Sequence, residues 1–285
     1  MKGKIGLVTD GSCDLPLELT EKLGIEVVAV HVNTEEGEPI LLKERPFYEF
    51  LRTFKKRLFT SQPSVGQFVT AYEKVSEIYS SIISIHLTAA RSGTFQSAVI
   101  AKESLPRVDI SIIDSKSTSL GLGMLVLEAQ KHINLGKKKE EIIEIINSII
   151  PRIKTYAVLD TLEFALKGGR VDGLKLFLGS LLNLKPILQV NNGIPMVIKT
   201  ARGRKKVLDK AFNILIKDIE KSLKEWPQVR VGLAHADAQE AVKQIKERIL
   251  SLIPDLDIME TYVGPVLGAH AGPDAIGLFL VPSTN

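Results

Sequence analysis

Three short segments concentrate hydroxyl groups where a chain could hold an oxygen-rich or anionic head group. Thr60-Ser61-Gln62-Pro63-Ser64 precedes an expected helix. Pro63 forces Gln62 to be extended, which predicts that Thr60 and Ser61 lie in a loop beside a helix N-terminus. Ser92-Gly93-Thr94 stands between an expected strand and an expected helix. Gly93 admits close backbone approach, and the dipole of the following helix favours an anion. Asp114-Ser115-Lys116-Ser117-Thr118-Ser119 is the third such segment. Any one of them alone fits ordinary capping, with Ser and Thr satisfying free amides; three on one sheet edge point to an oxygen-rich head group. His270 sits in Gly264-Pro265-Val266-Leu267-Gly268-Ala269-His270-Ala271-Gly272-Pro273. Its imidazole suits donation to an anion, and a partly buried structural ring fits the same spacing.

Other chemistries find no support. Gly121-Leu122-Gly123 is followed by Met124, Leu125 and Val126, so the dinucleotide fingerprint lacks its third glycine. There is no Walker A sequence and no Gly-x-Ser-x-Gly elbow. The five histidines, His31, His86, His132, His235 and His270, are scattered, which argues against a metal site. One cysteine, Cys13, excludes an intrachain disulfide framework and a multi-thiolate zinc site.

The 285 residues are 45% apolar and 25% charged, a globular composition. No run of about 18 apolar residues occurs, so no membrane-spanning helix is expected. The N-terminus reaches Asp10 too early for a signal peptide and reads as a first strand. Both absences favour the cytoplasm. The net charge of +4 is weak support for an anionic partner, and the basic clusters Lys137 to Lys139 and Arg202 to Lys206 lack interleaved aromatics. A single-strand nucleic-acid platform is therefore not expected.

The elements that must position the hydroxyls alternate along the first half. Strands are expected at Lys4 to Thr9, Glu26 to Val32, Ser81 to Leu87 and Val108 to Ile113. Helices are expected at Pro16 to Leu23, Pro46 to Lys56, Ser64 to about Lys74, Thr94 to Glu103, Leu120 to Leu135 and Lys139 to Ile150. Ser64-Val65-Gly66-Gln67 has the form of a capping box. Such alternation implies a parallel sheet with ligands beyond its C-terminal strand ends, which directs attention to the loops after Thr9, Leu87 and Ile113.

The second half reads differently. Thr155 to Leu159, Arg230 to His235, Leu256 to Val263 and Gly277 to Val281 are expected strands. Leu162 to Lys167, Leu174 to Leu184, Leu208 to Trp226 and Ala238 to Leu252 are expected helices. Pro186 to Val190 and Ile194 to Lys199 flank an Asn192-Gly193 hairpin turn. The expected organisation is a three-layer α/β/α unit with a parallel sheet over residues 1–152 and a two-layer α/β unit with a mixed sheet over residues 153–285.

In combination these segments resemble the DegV family. The resemblance rests on Val8-Thr9-Asp10-Gly11-Ser12-Cys13-Asp14-Leu15-Pro16, Thr60-Ser61-Gln62-Pro63-Ser64, Ser84-Ile85-His86-Leu87 and Ser92-Gly93-Thr94-Phe95-Gln96-Ser97-Ala98. It continues through Ile113-Asp114-Ser115-Lys116-Ser117, Lys167-Gly168-Gly169-Arg170, Ala201-Arg202, Ala234-His235-Ala236 and Gly268-Ala269-His270-Ala271-Gly272. It implies a bacterial fatty-acid-binding protein, in some members the lipid-carrying subunit of fatty acid kinase. The fold implied is two domains with a lipid tunnel between them. By resemblance, Thr60, Ser92 and His270 hold the carboxylate, flanked by Ser61 and Gly93, while Arg170 and Arg202 dock a separate ATP-dependent kinase. A monomer with no cofactor beyond the bound long-chain fatty acid is implied in the same way. The chain departs from the family pattern at Arg91, where Leu is usual, at Gly11, where Ser is common, and at Asp274, a usual Gly position.

A tunnel suits such a ligand physically. Each buried methylene contributes about 0.8 kcal/mol, and the carboxylate then needs donors because an unpaired buried charge is costly. The competing reading is an acyl hydrolase or acyltransferase with Ser92 as nucleophile and His270 as base. A third, DNA binding, rests on the positive charge alone.

Overall fold

The computed structural model describes residues 4–54, 56–169 and 184–284. Its first sheet is wholly parallel, in the order β2-β1-β5-β6, from β1 (Ile5–Asp10), β2 (Ile25–Val28), β5 (Ser81–His86) and β6 (Asp109–Asp114). Helix α1 (Leu17–Leu23) links β1 to β2. Every residue of β1 is buried, as a sheet covered on both faces requires. Helices α3 (Val65–Ser76) and α4 (Thr94–Glu103) cover one face through Phe68, Tyr72, Ala98 and Ala101. Helices α5 (Leu120–Asn134) and α6 (Lys139–Ile149) cover the other. The capping box forms: Ser64 Oγ accepts from Gln67 N–H at 3.2 Å, and Gln67 Oε1 accepts from Ser64 N–H at 2.9 Å.

The second sheet is mixed and six-stranded, in the order β11-β10-β12-β7-β8-β9. Its strands are β7 (Lys154–Val158), β8 (Leu184–Asn191), β9 (Ile194–Arg202), β10 (Gln228–His235), β11 (Asp257–Tyr262) and β12 (Ile276–Ser283). Only β10 and β11 run parallel. Helices α8 (Arg204–Glu225) and α9 (Gln239–Leu252) cover one face through Val207, Leu215, Val242 and Ile245. The opposite face rests on α5: a Cβ on Gly232 of β10 would lie 2.9 Å from Leu120 Cβ. Helix α5 is thus a layer shared by both sheets. That is why it is apolar nearly all round, with Leu120, Leu122, Met124, Leu125 and Val126 all buried.

Four expectations need correction. Glu26 to Val32 is not one strand. Val28 pairs with Asp10, the last residue of β1, so the ladder has no partner beyond it and the chain leaves the sheet. It re-forms as β3 (His31–Asn33), antiparallel to β4 (Phe59–Ser61), with α2 (Glu44–Thr53) between them. Second, Thr60 and Ser61 therefore lie on a strand, not in a loop. Third, α8 begins at Arg204, four residues before the expected Leu208, so the basic cluster spans the end of β9 and the first turn of α8. Fourth, Leu184 opens β8; the rest of the helix expected from Leu174 lies outside the described residues.

The β3-α2-β4 segment is an arm that reaches across to the second half of the chain. It lies on the short helix α10 (Pro265–Ala271), and Tyr48 Oη of α2 donates to the Val263 carbonyl at 2.6 Å. Gly268 permits this contact, because a Cβ there would stand 2.6 Å from the Tyr48 hydroxyl. Helix α7 (Glu163–Gly168) flanks α10 from the other side.

Candidate functional site

A cavity of about 850 Å³ opens where the arm, the C-terminal end of the parallel sheet and the inner face of the mixed sheet converge. That volume is typical of a small-molecule site. Leu159, Leu188, Val263, Val266, Ile276 and Phe279 supply apolar wall. Thr60, Ser61, Ser92, Gly93 and His270 line the same cavity, so one space gathers all five expected head-group residues from both halves of the chain.

Their arrangement follows from the elements carrying them. Thr60 on β4 meets His270 near the end of α10, with Oγ1 and Nε2 2.9 Å apart. Side chains alternate along a strand, and Ser61 Oγ accepts from the Asn33 amide at 3.4 Å. Ser92 Oγ lies 2.8 Å from Thr94 Oγ1 and accepts from the N–H of Thr94, the first residue of α4, at 3.2 Å. Gln62 holds the arm to this loop. Its Nε2 donates to Ser97 Oγ at 3.0 Å, and a Cβ on Gly93 would lie 2.0 Å from its Oε1. Gly93 is therefore the position that lets the arm approach α4.

Of the three loops beyond the parallel strands, the one after β5 contributes most wall, from Thr88 to Gly93, and the one after β6 contributes Thr118 and Ser119. The loop after β1 does not line the cavity but braces it. Asp14 accepts from Ser119 Oγ at 2.6 Å and from Gly264 N–H, just ahead of α10, at 3.0 Å. Arg91 also lines the cavity. Arg202 is exposed at the end of β9; Arg170 lies outside the described residues. Among the described residues no group of His, Cys, Asp and Glu could hold a metal, and no helix is long and apolar enough to cross a membrane.

Sequence reasoning missed the seat of the imidazole. The glycines at 168 and 169 read as a helix stop, which Gly169 fulfils at φ +67°. Gly168 does something else: a Cβ there would lie 2.0 Å from His270 Nδ1. No local signal marks such a contact between residues a hundred positions apart. The hairpin turn is similar. Asn192 and Gly193 both take positive φ, as an Asn-Gly turn requires, and Gly193 packs onto Thr88 so closely that a Cβ would fall 1.8 Å from its hydroxyl.

Burial pushes the Asp14 carboxyl up to about 7, against opposing hydrogen bonds from Ser119 and Gly264. A carboxyl whose pKa rises on folding binds protons in the native state that the unfolded chain has released. Its contribution to stability is present at acid pH and is lost as pH rises from about 4 towards 7. Asp14→Asn should abolish that dependence. In urea unfolding, the variant should gain stability relative to the parent between pH 5 and pH 8; parallel pH profiles would contradict the assignment.

The family model described as "Uncharacterised protein, DegV family" matches residues 4–283. The chain belongs to the DegV family. A DegV domain-containing protein of Caldanaerobacter subterraneus subsp. tengcongensis is 35% identical over 279 residues, spanning 97% of this chain and 98% of that one. Protein DegV of Bacillus subtilis is 32% identical over 278 residues, 96% of this chain and 98% of its own. The crystal structure of Bacillus subtilis DegV, described as a fatty acid binding protein, superposes with a TM-score of 0.89 at 30% identity, over 99% of this chain and 100% of that one. A Thermus thermophilus DegV family protein, described for its fatty acid binding, gives 0.90 at 28% identity, over 98% and 99%. The DegV two-domain α/β fold is therefore the fold of this chain. Of the departures from the DegV pattern, Asp274 keeps the left-handed backbone a glycine would adopt, at φ +64°.

Proposed function

We propose that this DegV-family protein is a non-catalytic carrier that holds a long-chain fatty acid between its two units, taken as residues 1–152 and 153–285, and presents the carboxylate to a separate ATP-dependent kinase. The observation that carries the reading is the Thr60–His270 pair, 2.9 Å apart, set in a largely apolar cavity built from both halves of the chain. The apolar wall stabilises the methylenes. Thr60, Ser92 and His270 supply hydrogen-bonding groups for the acid, with Ser61 and Gly93 flanking them. Fatty acid binding by the Bacillus subtilis and Thermus thermophilus relatives supports the ligand class.

The hydrolase reading requires His270 to activate Ser92. Instead Nε2 is engaged by Thr60, and Ser92 Oγ by Thr94. The carrier reading accounts for both contacts without a nucleophile. A cytoplasmic monomer accords with it.

Protein purified from bacteria should release a long-chain fatty acid on organic extraction, identified by mass spectrometry. Well-folded protein that yields none and takes up none when fatty acid is added would refute the reading. The kinase partner is tested separately: changing Arg170 and Arg202 to Ala should lower kinase-dependent acyl-phosphate formation while fatty-acid binding stays intact. Loss of both together would assign the arginines to the fold or the cavity.

A further inference from the structure

Two acidic residues of the second half share one guanidinium of the arm. Arg52 Nη1 donates to Asp237 Oδ2 at 2.7 Å, and Nη2 donates to Asp274 Oδ1 at 3.1 Å. Arg45, about two turns earlier on α2, lies 3.7 Å from the other Asp237 oxygen. Both acids stand in the left-handed region, at φ +60° and +64°, a conformation non-glycine residues adopt at a cost. Their loops are stitched together: Asp274 N–H donates to the Ala236 carbonyl at 2.7 Å, and Ala236 N–H to the Ala275 carbonyl at 2.9 Å. Arg204 Nη2 completes the grip by donating to the Asp274 carbonyl at 2.8 Å.

The position of this cluster matters more than its charge. Arg52 lies eight residues before Thr60 on the arm, and Asp274 four residues after His270. One fork thus ties the stretch ahead of Thr60 to the stretch that follows His270. We propose that Arg52, through Asp237 and Asp274, is a positioning residue that holds Thr60 against His270 and so sets how firmly the carboxyl end is retained. Isolated exposed ion pairs contribute little. Here the guanidinium is 37% exposed, Asp237 only 16% and Asp274 43%, and both arms of the fork are used. The ligand in this inference is the one proposed above.

Two variants separate positioning from folding. Arg52→Ala removes the fork. Asp274→Gly removes one carboxylate while giving the left-handed position the residue that suits it, so its melting temperature should not fall. In ligand-free protein, both variants should move the His270 ring ¹⁵N signals away from their hydrogen-bonded values. In protein loaded with palmitate, both should speed release into acceptor vesicles, by about fivefold for Arg52→Ala, the upper end for an exposed charge pair. High salt should speed release from the parent and change the variants less. Unchanged ring signals and unchanged release in both variants would overturn the proposal. If the parent takes up no palmitate, the carrier reading fails, and the ring signals, which need no ligand, still decide the clamp.

Discussion

Replacing His270 with alanine is expected to weaken binding of a long-chain fatty acid by roughly ten- to a hundredfold, the loss of one hydrogen bond to a charged group at about 1.5–3 kcal/mol. The alanine variant also strands the Thr60 hydroxyl, whose partner is the imidazole at 2.9 Å. The matching methyl ester carries no charge, so its affinity should change far less, which separates the head group from the tail. Gly168→Ala offers a second route to the same end without touching the ligand. Its new methyl would stand 2.0 Å from His270 Nδ1 and must displace the ring. Equal losses for acid and ester in both variants would mean that His270 shapes the cavity and does not hold the carboxylate.

The largest effect on stability is expected at Asp10, far from any solvent. Its Oδ1 accepts from Ser12 N–H at 3.1 Å and Ser12 Oγ at 2.6 Å, and its Oδ2 accepts from Leu87 N–H at 3.0 Å and faces His86 Nδ1 at 3.1 Å. The chain of contacts runs on from His86 Nε2 to Ser84 Oγ at 2.6 Å, and from Ser84 Oγ to the Tyr72 hydroxyl at 2.9 Å. Asp10, Ser84, His86 and Tyr72 are all fully buried. None of the Asp10, Ser84 and His86 side chains lines the cavity, and their contacts tie the end of β1 to β5. Asp10→Ala would orphan several buried donors at once, and each buried donor left unsatisfied costs about 1–3 kcal/mol. Urea unfolding reads that loss directly. A change under about 1 kcal/mol would show that the network is dispensable. Because Leu87 begins the loop that carries Thr88 to Gly93, the variant should also loosen the cavity wall.

Much of this fold was legible because its signals are local. Lys4 to Thr9 and Ser81 to Leu87 read as buried strands from their continuous apolar runs, and β1 and β5 lie there. The capping box at Ser64 and the Asn192-Gly193 turn each carry their own geometry in adjacent residues. The failures share a cause, which is that the deciding partner is distant. Nothing between Glu26 and Val32 announces that β1 stops at Asp10 and leaves the later residues unpaired. Helix α10 is only seven residues long and carries Gly268 at its middle, too short to stand on local propensity; the Tyr48 bond to Val263, just ahead of it, helps to hold it in place. The candidate site divides in the same way. Thr60, Ser92 and His270 stand out by residue type and resemblance, whereas Gln62, Gly168 and Arg52 become visible only once the arm is laid across α10.

The account turns on where the acid end of the ligand sits, and a crystal structure of the protein saturated with a long-chain fatty acid tests this most directly. The expected density is a single unbranched tube between the two sheets, running past Leu159, Val266 and Phe279, its carboxylate within hydrogen-bonding distance of Thr60 Oγ1 and His270 Nε2 and beside Ser92. A carboxylate at the opposite end of the cavity, or a cavity that stays empty at saturating ligand, would contradict it.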